Sequence, residues 1–137
     1  MPLSAQKPVV AVFNASEDTV EMLTVFFRQL GFEAVGEAWP AQTPLPFDAA
    51  RAFVARHRPH VIVFDVSFPY AQNWERFCEF RDADGMRDIP IVLTTTNKKA
   101  LDEIVGATAA TEIIGKPCDM DQLAAAVSRA VHSSARG

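Results

Sequence analysis

Three kinds of side chain that can handle a phosphoryl group follow apolar runs of this sequence. Asp65 directly follows one run, Lys116 comes shortly after another, and Thr94, Thr95 and Thr96 follow a third. A carboxylate can act as a nucleophile, a lysine can balance the charge of an oxyanion, and a hydroxyl can hydrogen-bond a phosphoryl oxygen. These residues predict a phosphoryl-handling site, provided that the ends of the three runs meet.

Five short apolar runs alternate with helical patterns along the chain. Their β-branched content and turn-rich flanks favour strands. Three of them lack polar–apolar alternation, which is typical of strands buried on both faces of a parallel sheet. The runs cover residues 9–13, 32–38, 61–64, 91–93 and 113–114.

The segments between these runs predict helices. Four apolar residues share one face of the first helix: Val20, Leu23, Phe27 and Leu30. Ser16 or Asn14 can cap this helix at its start, and Gly31 can end it. Further helices are predicted around residues 48–58, 74–78, 101–105 and 120–131. A strand–helix order repeated five times predicts a three-layer α/β domain with a parallel sheet. The carboxyl ends of such strands lie at one edge, where α/β proteins build their sites.

Length and composition limit the possible classes of protein. The 137 residues suit one domain, with a core of about 7–131 and a tail of 132–137. The net charge of −4 comes without a basic stripe, so we expect no nucleic-acid partner. No apolar stretch approaches the roughly 20 residues of a membrane span. The start of the chain lacks the apolar core of a signal peptide. We expect a cytoplasmic protein with free thiols.

Several of these residues also have a purely structural interpretation. Asp65 could cap a loop at a strand end, and Lys116 could form an ion pair with it without any phosphorylation. Asn14 is as good a helix cap as a ligand. Trp74 and Phe77 are expected in the core. The chain has neither a Ser–His constellation nor a glycine-rich phosphate loop, so we expect no enzyme activity.

Three segments together resemble the response-regulator receiver (CheY-like) domain family. Residues 59–69 resemble its phospho-acceptor strand, because Asp65 is followed four residues later by Pro69. Residues 88–95 resemble its fourth strand, which ends in a switch threonine or serine. Residues 113–117 resemble its lysine–proline strand end. The resemblance extends from about residue 7 to residue 131, and the order and spacing of the segments make it specific.

The resemblance implies a doubly wound (βα)5 flavodoxin-like fold, with a five-stranded parallel sheet of order 2-1-3-4-5. It implies a single-domain module of two-component phosphorelay signalling. Asp65 would accept the phosphoryl group from a sensor histidine kinase or a phosphotransfer protein, and Lys116 and Thr95 would stabilise and sense it. A downstream protein would bind the face formed by helix 4, strand 5 and helix 5. The expected assembly is a monomer or a weak homodimer.

Two departures from the family pattern change these expectations. Receivers carry an acidic pair after strand one that binds Mg²⁺, and Asn14 and Ala15 stand there in this chain. We therefore expect a weak or absent Mg²⁺ site at Asn14, Asp65 and Ser67, with Glu17 or Asp18 as possible substitutes. The second departure is Ile113, which replaces the rotating aromatic residue of many receivers. The alternative function is that of a pseudo-receiver, which binds a protein independently of phosphorylation.

Overall fold

The computed structural model describes residues 7–14, 16–38, 47–66, 70–82, 89–105, 112–115 and 120–136. Within these ranges, five strands alternate with five helices. The strands are β1 (Val9–Asn14), β2 (Glu33–Ala38), β3 (Val61–Asp65), β4 (Ile91–Thr95) and β5 (Glu112–Gly115). The helices are α1 (Glu17–Gln29), α2 (Phe47–His57), α3 (Tyr70–Arg81), α4 (Lys98–Val105) and α5 (Met120–Arg136). The predicted order of elements is confirmed.

The strands form one sheet in the order β2-β1-β3-β4-β5, and every neighbouring pair is parallel. This confirms the predicted order 2-1-3-4-5. β1, β3 and β4 are central strands, which explains why their sequences are apolar without alternation. Because all five strands run in one direction, their carboxyl ends lie along the same edge of the sheet.

Two separate apolar clusters cover the two faces of the sheet. Val12, Val63 and Val92 pack with residues of α1 and α5, and this side is called the α1–α5 face. Phe64 and Leu93 pack with residues of α2, α3 and α4, and this side is called the α2–α4 face. Successive residues of each central strand therefore point to opposite faces. This alternation decides which polar side chains can meet at the strand ends.

The ends of α1 follow the sequence signals closely. Ser16 is the N-cap, and its hydroxyl accepts a hydrogen bond from the backbone N–H of Thr19 at 3.2 Å. Glu17 and Asp18 occupy the first turn, where negative charge interacts favourably with the helix dipole. Gly31 follows the helix with a φ of 99°, a conformation that favours glycine. Of the two predicted caps, the structure selects Ser16. The prediction that Leu30 shares the buried face was wrong, because the helix ends at Gln29 and Leu30 is an exposed C-cap.

Two predicted boundaries differ from the structure. α3 begins at Tyr70, one turn before the predicted segment, and α5 continues to Arg136. The predicted tail, residues 132–137, is helical through Arg136. The reason is that residues 132–136 contain neither glycine nor proline, so nothing interrupts the backbone hydrogen bonds of α5. No described helix combines the length and the apolar character that crossing a membrane requires.

Gly36 allows α1 to pack directly against β2. A Cβ atom built on Gly36 would overlap Cγ1 of Val20 and would lie 3.1 Å from the carbonyl oxygen of Val12. The same atom would lie 3.3 Å from Cγ2 of Thr24. Helix and strand can therefore approach this closely only where residue 36 has no side chain.

We predict that Gly36→Ala lowers the free energy of unfolding by about 1–3 kcal/mol, because overpacking strains a dense core. Urea unfolding measures this change. The control is a double-mutant cycle with Val20→Ala, which removes the overlapping methyl groups. The loss in the double variant should be smaller than the sum of the two single losses. Strictly additive losses would contradict the proposed overlap.

Candidate functional site

A short hydrogen bond joins the ends of β3 and β4. The Thr94 hydroxyl donates to Oδ1 of Asp65 at 2.7 Å. The two residues are partners in the parallel register, so the backbone of the sheet brings them together. Thr94 is 4% exposed, whereas Asp65 is half-buried. A hydroxyl bound to a charged acceptor at this distance is a strong, charge-assisted hydrogen bond.

Thr95, the hydroxyl that the resemblance assigns to the phosphoryl group, has a different neighbour. It is fully buried, and its hydroxyl accepts a hydrogen bond from the backbone N–H of Asn97 at 3.3 Å. Asn97 in turn caps α4, since its Oδ1 accepts from the backbone N–H of Ala100 at 3.0 Å. Thr95 thus stabilises the turn into α4. Its predicted role toward a phosphoryl group stays a prediction.

The third threonine links β4 to the start of α3. The hydroxyls of Thr96 and Tyr70 lie 3.0 Å apart and share a hydrogen bond. The three successive hydroxyls therefore reach β3, the turn into α4, and α3. Tyr70 was not identified from the sequence, because no spacing rule relates a helix start to a strand end 26 residues later.

Asn14 acts locally at the end of β1. Its Oδ1 accepts a hydrogen bond from the backbone N–H of Ser16 at 3.0 Å, and the residue is 8% exposed. This is the side-chain-to-backbone turn that Asn favours. Asn14 and Asp65 are each one residue beyond the last registered pair of β1 and β3, Phe13 with Phe64. The structure thus gives Asn14 a turn-forming role beside Asp65.

The predicted Mg²⁺ site involves Asn14, Asp65 and Ser67, of which the structure describes the first two. Within the described part of the chain, no three His, Cys, Asp or Glu side chains are grouped so that they could hold a metal ion. Glu17 and Asp18 are exposed and form no such group with Asp65. Ser67 lies outside the described residues, so the predicted trio with Asn14 and Asp65 stays a prediction.

Lys116 also lies outside the described residues. β5 ends at Gly115, which directly precedes Lys116 in the sequence. Gly115 is the register partner of Thr95. The predicted contact between Lys116 and Asp65 therefore stays a prediction. Ile113 is the register partner of Leu93 on β4.

An aromatic cluster connects α3 to the residue beside Asp65. The ring centroids of Phe64 and Phe77 are 4.8 Å apart, and those of Phe77 and Trp74 are 5.3 Å apart. Phe77 is fully buried, Trp74 is half-buried, and the Arg81 guanidinium lies 5.7 Å from the centre of the Trp74 ring. Both aromatic residues belong to the core, as predicted. Trp74 is thus an optical probe two ring contacts away from the neighbour of Asp65.

The chain was compared with known protein families, curated proteins and solved structures. No family model and no curated protein matches the chain. Solved structures do match it. One is the signal receiver domain of a signal transduction histidine kinase from Syntrophus aciditrophicus. It has 20% sequence identity and a TM-score of 0.71, and the match covers 92% of this chain and 91% of that chain. The chain has the receiver-domain fold. The chemotaxis protein CheY4 from Vibrio cholerae has 23% identity and a TM-score of 0.68, with 90% of this chain and 98% of that chain covered.

A sensor protein from Polaromonas sp. JS666 matches with 18% identity and a TM-score of 0.73, over 93% of this chain and 98% of that chain. The matched receiver structures confirm the sequence resemblance at the level of fold. At these identities the matches carry the architecture and not the chemistry of individual residues. The roles of Asp65, Thr94 and Thr95 therefore depend on the contacts described above.

We predict that millimolar MgCl₂ leaves the Trp74 fluorescence of the chain unchanged, measured in a Trp39→Phe background. Replacing Asn14 and Ala15 with Asp should create a response, since each added charge at about 4 Å from the ion contributes about 4 kcal/mol at an effective dielectric of 20 before desolvation. KCl at equal ionic strength is the control. Saturable quenching of the Trp74 fluorescence by MgCl₂ in the protein that keeps Asn14 and Ala15 would contradict this prediction.

Cys78 on α3 is a free thiol, and burial raises its pKa, with the Arg81 guanidinium partly opposing the shift. Only the thiolate reacts, so a raised pKa means a smaller reactive fraction at neutral pH. We predict that a disulfide reagent labels Cys78 more slowly than free cysteine at pH 8 and that the rate increases as the pH rises further. A Cys118→Ser background isolates the signal. Labelling as fast as free cysteine would refute the prediction.

Proposed function

We propose that this chain is a receiver-like signalling module in which Asp65 accepts a phosphoryl group from a phosphohistidine. The donor would be a sensor histidine kinase or a phosphotransfer protein. The observation that carries this proposal is the position of Asp65: half-buried at the carboxyl end of central strand β3, and bonded to Thr94 on the neighbouring strand. The proposal includes a cytoplasmic location and no enzyme activity.

The topology of the sheet supports this position for a site. From β1 the chain moves to β2 on one side and then to β3 on the other, so the strand order reverses between β1 and β3. Ligands of open α/β sheets bind in the crevice at such a switch point. Asn14 and Asp65 stand at the ends of these two strands. A phosphoryl group delivered to the crevice would meet the Asp65 carboxylate.

The proposed transfer needs one nucleophile and one leaving group. An oxygen of Asp65 forms a bond to phosphorus, the bond from phosphorus to the histidine nitrogen breaks, and its electron pair stays on the imidazole. In this proposal Lys116 balances the developing charge and Thr95 binds a phosphoryl oxygen. Both roles derive from the sequence resemblance. Transfer without a strong metal site is expected to be slow.

Output in this proposal is a shift between two surface conformations. The expected contact face comprises α4, β5 and α5, and α4 presents Ile104 with 39% exposure. Because Ile113 cannot act as a rotating aromatic reporter, the output cannot use that rotation. The downstream partner is a protein in either candidate function.

The second candidate is a pseudo-receiver that binds a protein partner without phosphorylation. The Asn14 contact favours it, because the amide oxygen that could face a cation already accepts the N–H of Ser16. The absence of an acidic trio around Asp65 in the described ranges points the same way. Under this function, Asp65 and Thr94 would serve only to hold β3 to β4.

Incubation with acetyl phosphate and MgCl₂, followed by intact-protein mass spectrometry, separates the two candidates. We expect one phosphoryl adduct that is lost in Asp65→Ala. Asp82→Ala is the matched control, since Asp82 is an exposed aspartate at the end of α3, and it should keep the adduct. If the chain stays unmodified under all conditions, the phospho-acceptor function is rejected and the pseudo-receiver function remains.

A further inference from the structure

The hydroxyl of Thr94 is bound to the same carboxylate on which the proposed function depends. We propose that Thr94 is a positioning residue that shortens the lifetime of phosphorylated Asp65, because its hydrogen bond stabilises the carboxylate more than the acyl phosphate. This inference rests on the proposed phospho-acceptor function and adds an intrinsic control over how long the signal lasts.

The strength of the hydrogen bond from Thr94 depends on the charge of its acceptor oxygen. In the carboxylate form, Oδ1 of Asp65 shares the negative charge and accepts the Thr94 hydroxyl at 2.7 Å. In an acyl phosphate, one carboxyl oxygen is bonded to phosphorus and the other is a neutral carbonyl oxygen. A hydrogen bond to a charged acceptor is stronger than one to a neutral acceptor. The bond from Thr94 therefore favours the unphosphorylated state.

The same bond affects both chemical steps. In loading from acetyl phosphate, the bond between Asp65 oxygen and phosphorus forms, the phosphorus–acetate bond breaks, and acetate leaves with the electron pair. In hydrolysis, water oxygen bonds to phosphorus, the Asp65–phosphorus bond breaks, its electron pair returns to the carboxylate, and the proton from water ends on phosphate or solvent. The carboxylate is the nucleophile in the first step and the leaving group in the second. A donor directed at it slows loading and speeds hydrolysis.

The sheet holds the Thr94 hydroxyl in place for this role. Asp65 and Thr94 lie two residues after Val63 and Val92 on their strands, so their side chains belong to the same α1–α5 face of the sheet. Thr94 is 4% exposed, so water competes little for its hydroxyl. Thr95 is the next residue along β4, so its side chain belongs to the opposite face, and its hydroxyl accepts from the backbone N–H of Asn97. Of these two buried hydroxyls, the one bonded to the acceptor is therefore that of Thr94.

The test measures the decay of the phosphoryl adduct after acetyl phosphate is removed by desalting. Thr94→Val removes the hydroxyl and keeps the shape, and we expect it to lengthen the adduct lifetime about fivefold, from the difference between charged and neutral hydrogen bonds. Thr94→Ser keeps a hydroxyl and should keep the original lifetime. Thr24→Val is the matched control, because it removes another buried threonine hydroxyl, one that donates to the Glu21 carbonyl within α1.

Each outcome decides between the two proposals. An adduct whose lifetime is unchanged or shorter in Thr94→Val overturns this inference and leaves the phospho-acceptor in place. A chain without any adduct in all variants overturns both. An adduct that forms only without the Thr94 hydroxyl supports the inference. Circular dichroism checks folding, and Thr94→Ala is a second variant without the hydroxyl that must lengthen the lifetime in the same direction.

Discussion

The parallel pairing of β3 with β4 determines which hydroxyl reaches Asp65. In this register Asp65 is paired with Thr94, and both side chains belong to the α1–α5 face of the sheet. A shift of one residue would direct the Thr94 hydroxyl to the opposite face of the sheet. The 2.7 Å hydrogen bond is thus a consequence of backbone pairing that extends from Ile62 to Asp65. The chemistry proposed for the carboxylate depends on this constraint.

The chain after β4 divides its polar groups among neighbouring elements. Thr94 bonds to β3, Thr95 holds the turn into α4, and Thr96 shares a hydrogen bond with Tyr70 at the start of α3. Three adjacent residues thereby connect Asp65 to the turn into α4 and to α3. A change in the charge of Asp65 acts directly on Thr94, and the other two threonines are adjacent along the same backbone.

Two polar contacts are described at the ends of β1 and β3. Asn14 is neutral, and its amide oxygen serves the turn into α1. The Asp65 carboxylate is stabilised in part by the hydrogen bond that the Thr94 hydroxyl donates. In a half-buried position such a bond weighs more than at an exposed surface, since water screens it less. Both candidate functions therefore make the same bond central, either as a control on phosphorylation or as a link between strands.

The order of elements and the parallel sheet could be predicted from the amino-acid sequence alone, which also indicated Asp65 as a candidate site residue. Apolar runs without alternation and the cap at Ser16 are local signals, and local physics decides them. Only the folded structure shows that the hydroxyl bonded to Asp65 is that of Thr94, whereas Thr95 accepts from the backbone of Asn97. A strand buried on both faces shows no period of two, so the facing direction of its last residues depends on which residue of β3 lies opposite. That pairing is a long-range property, as is the contact of Tyr70 with Thr96.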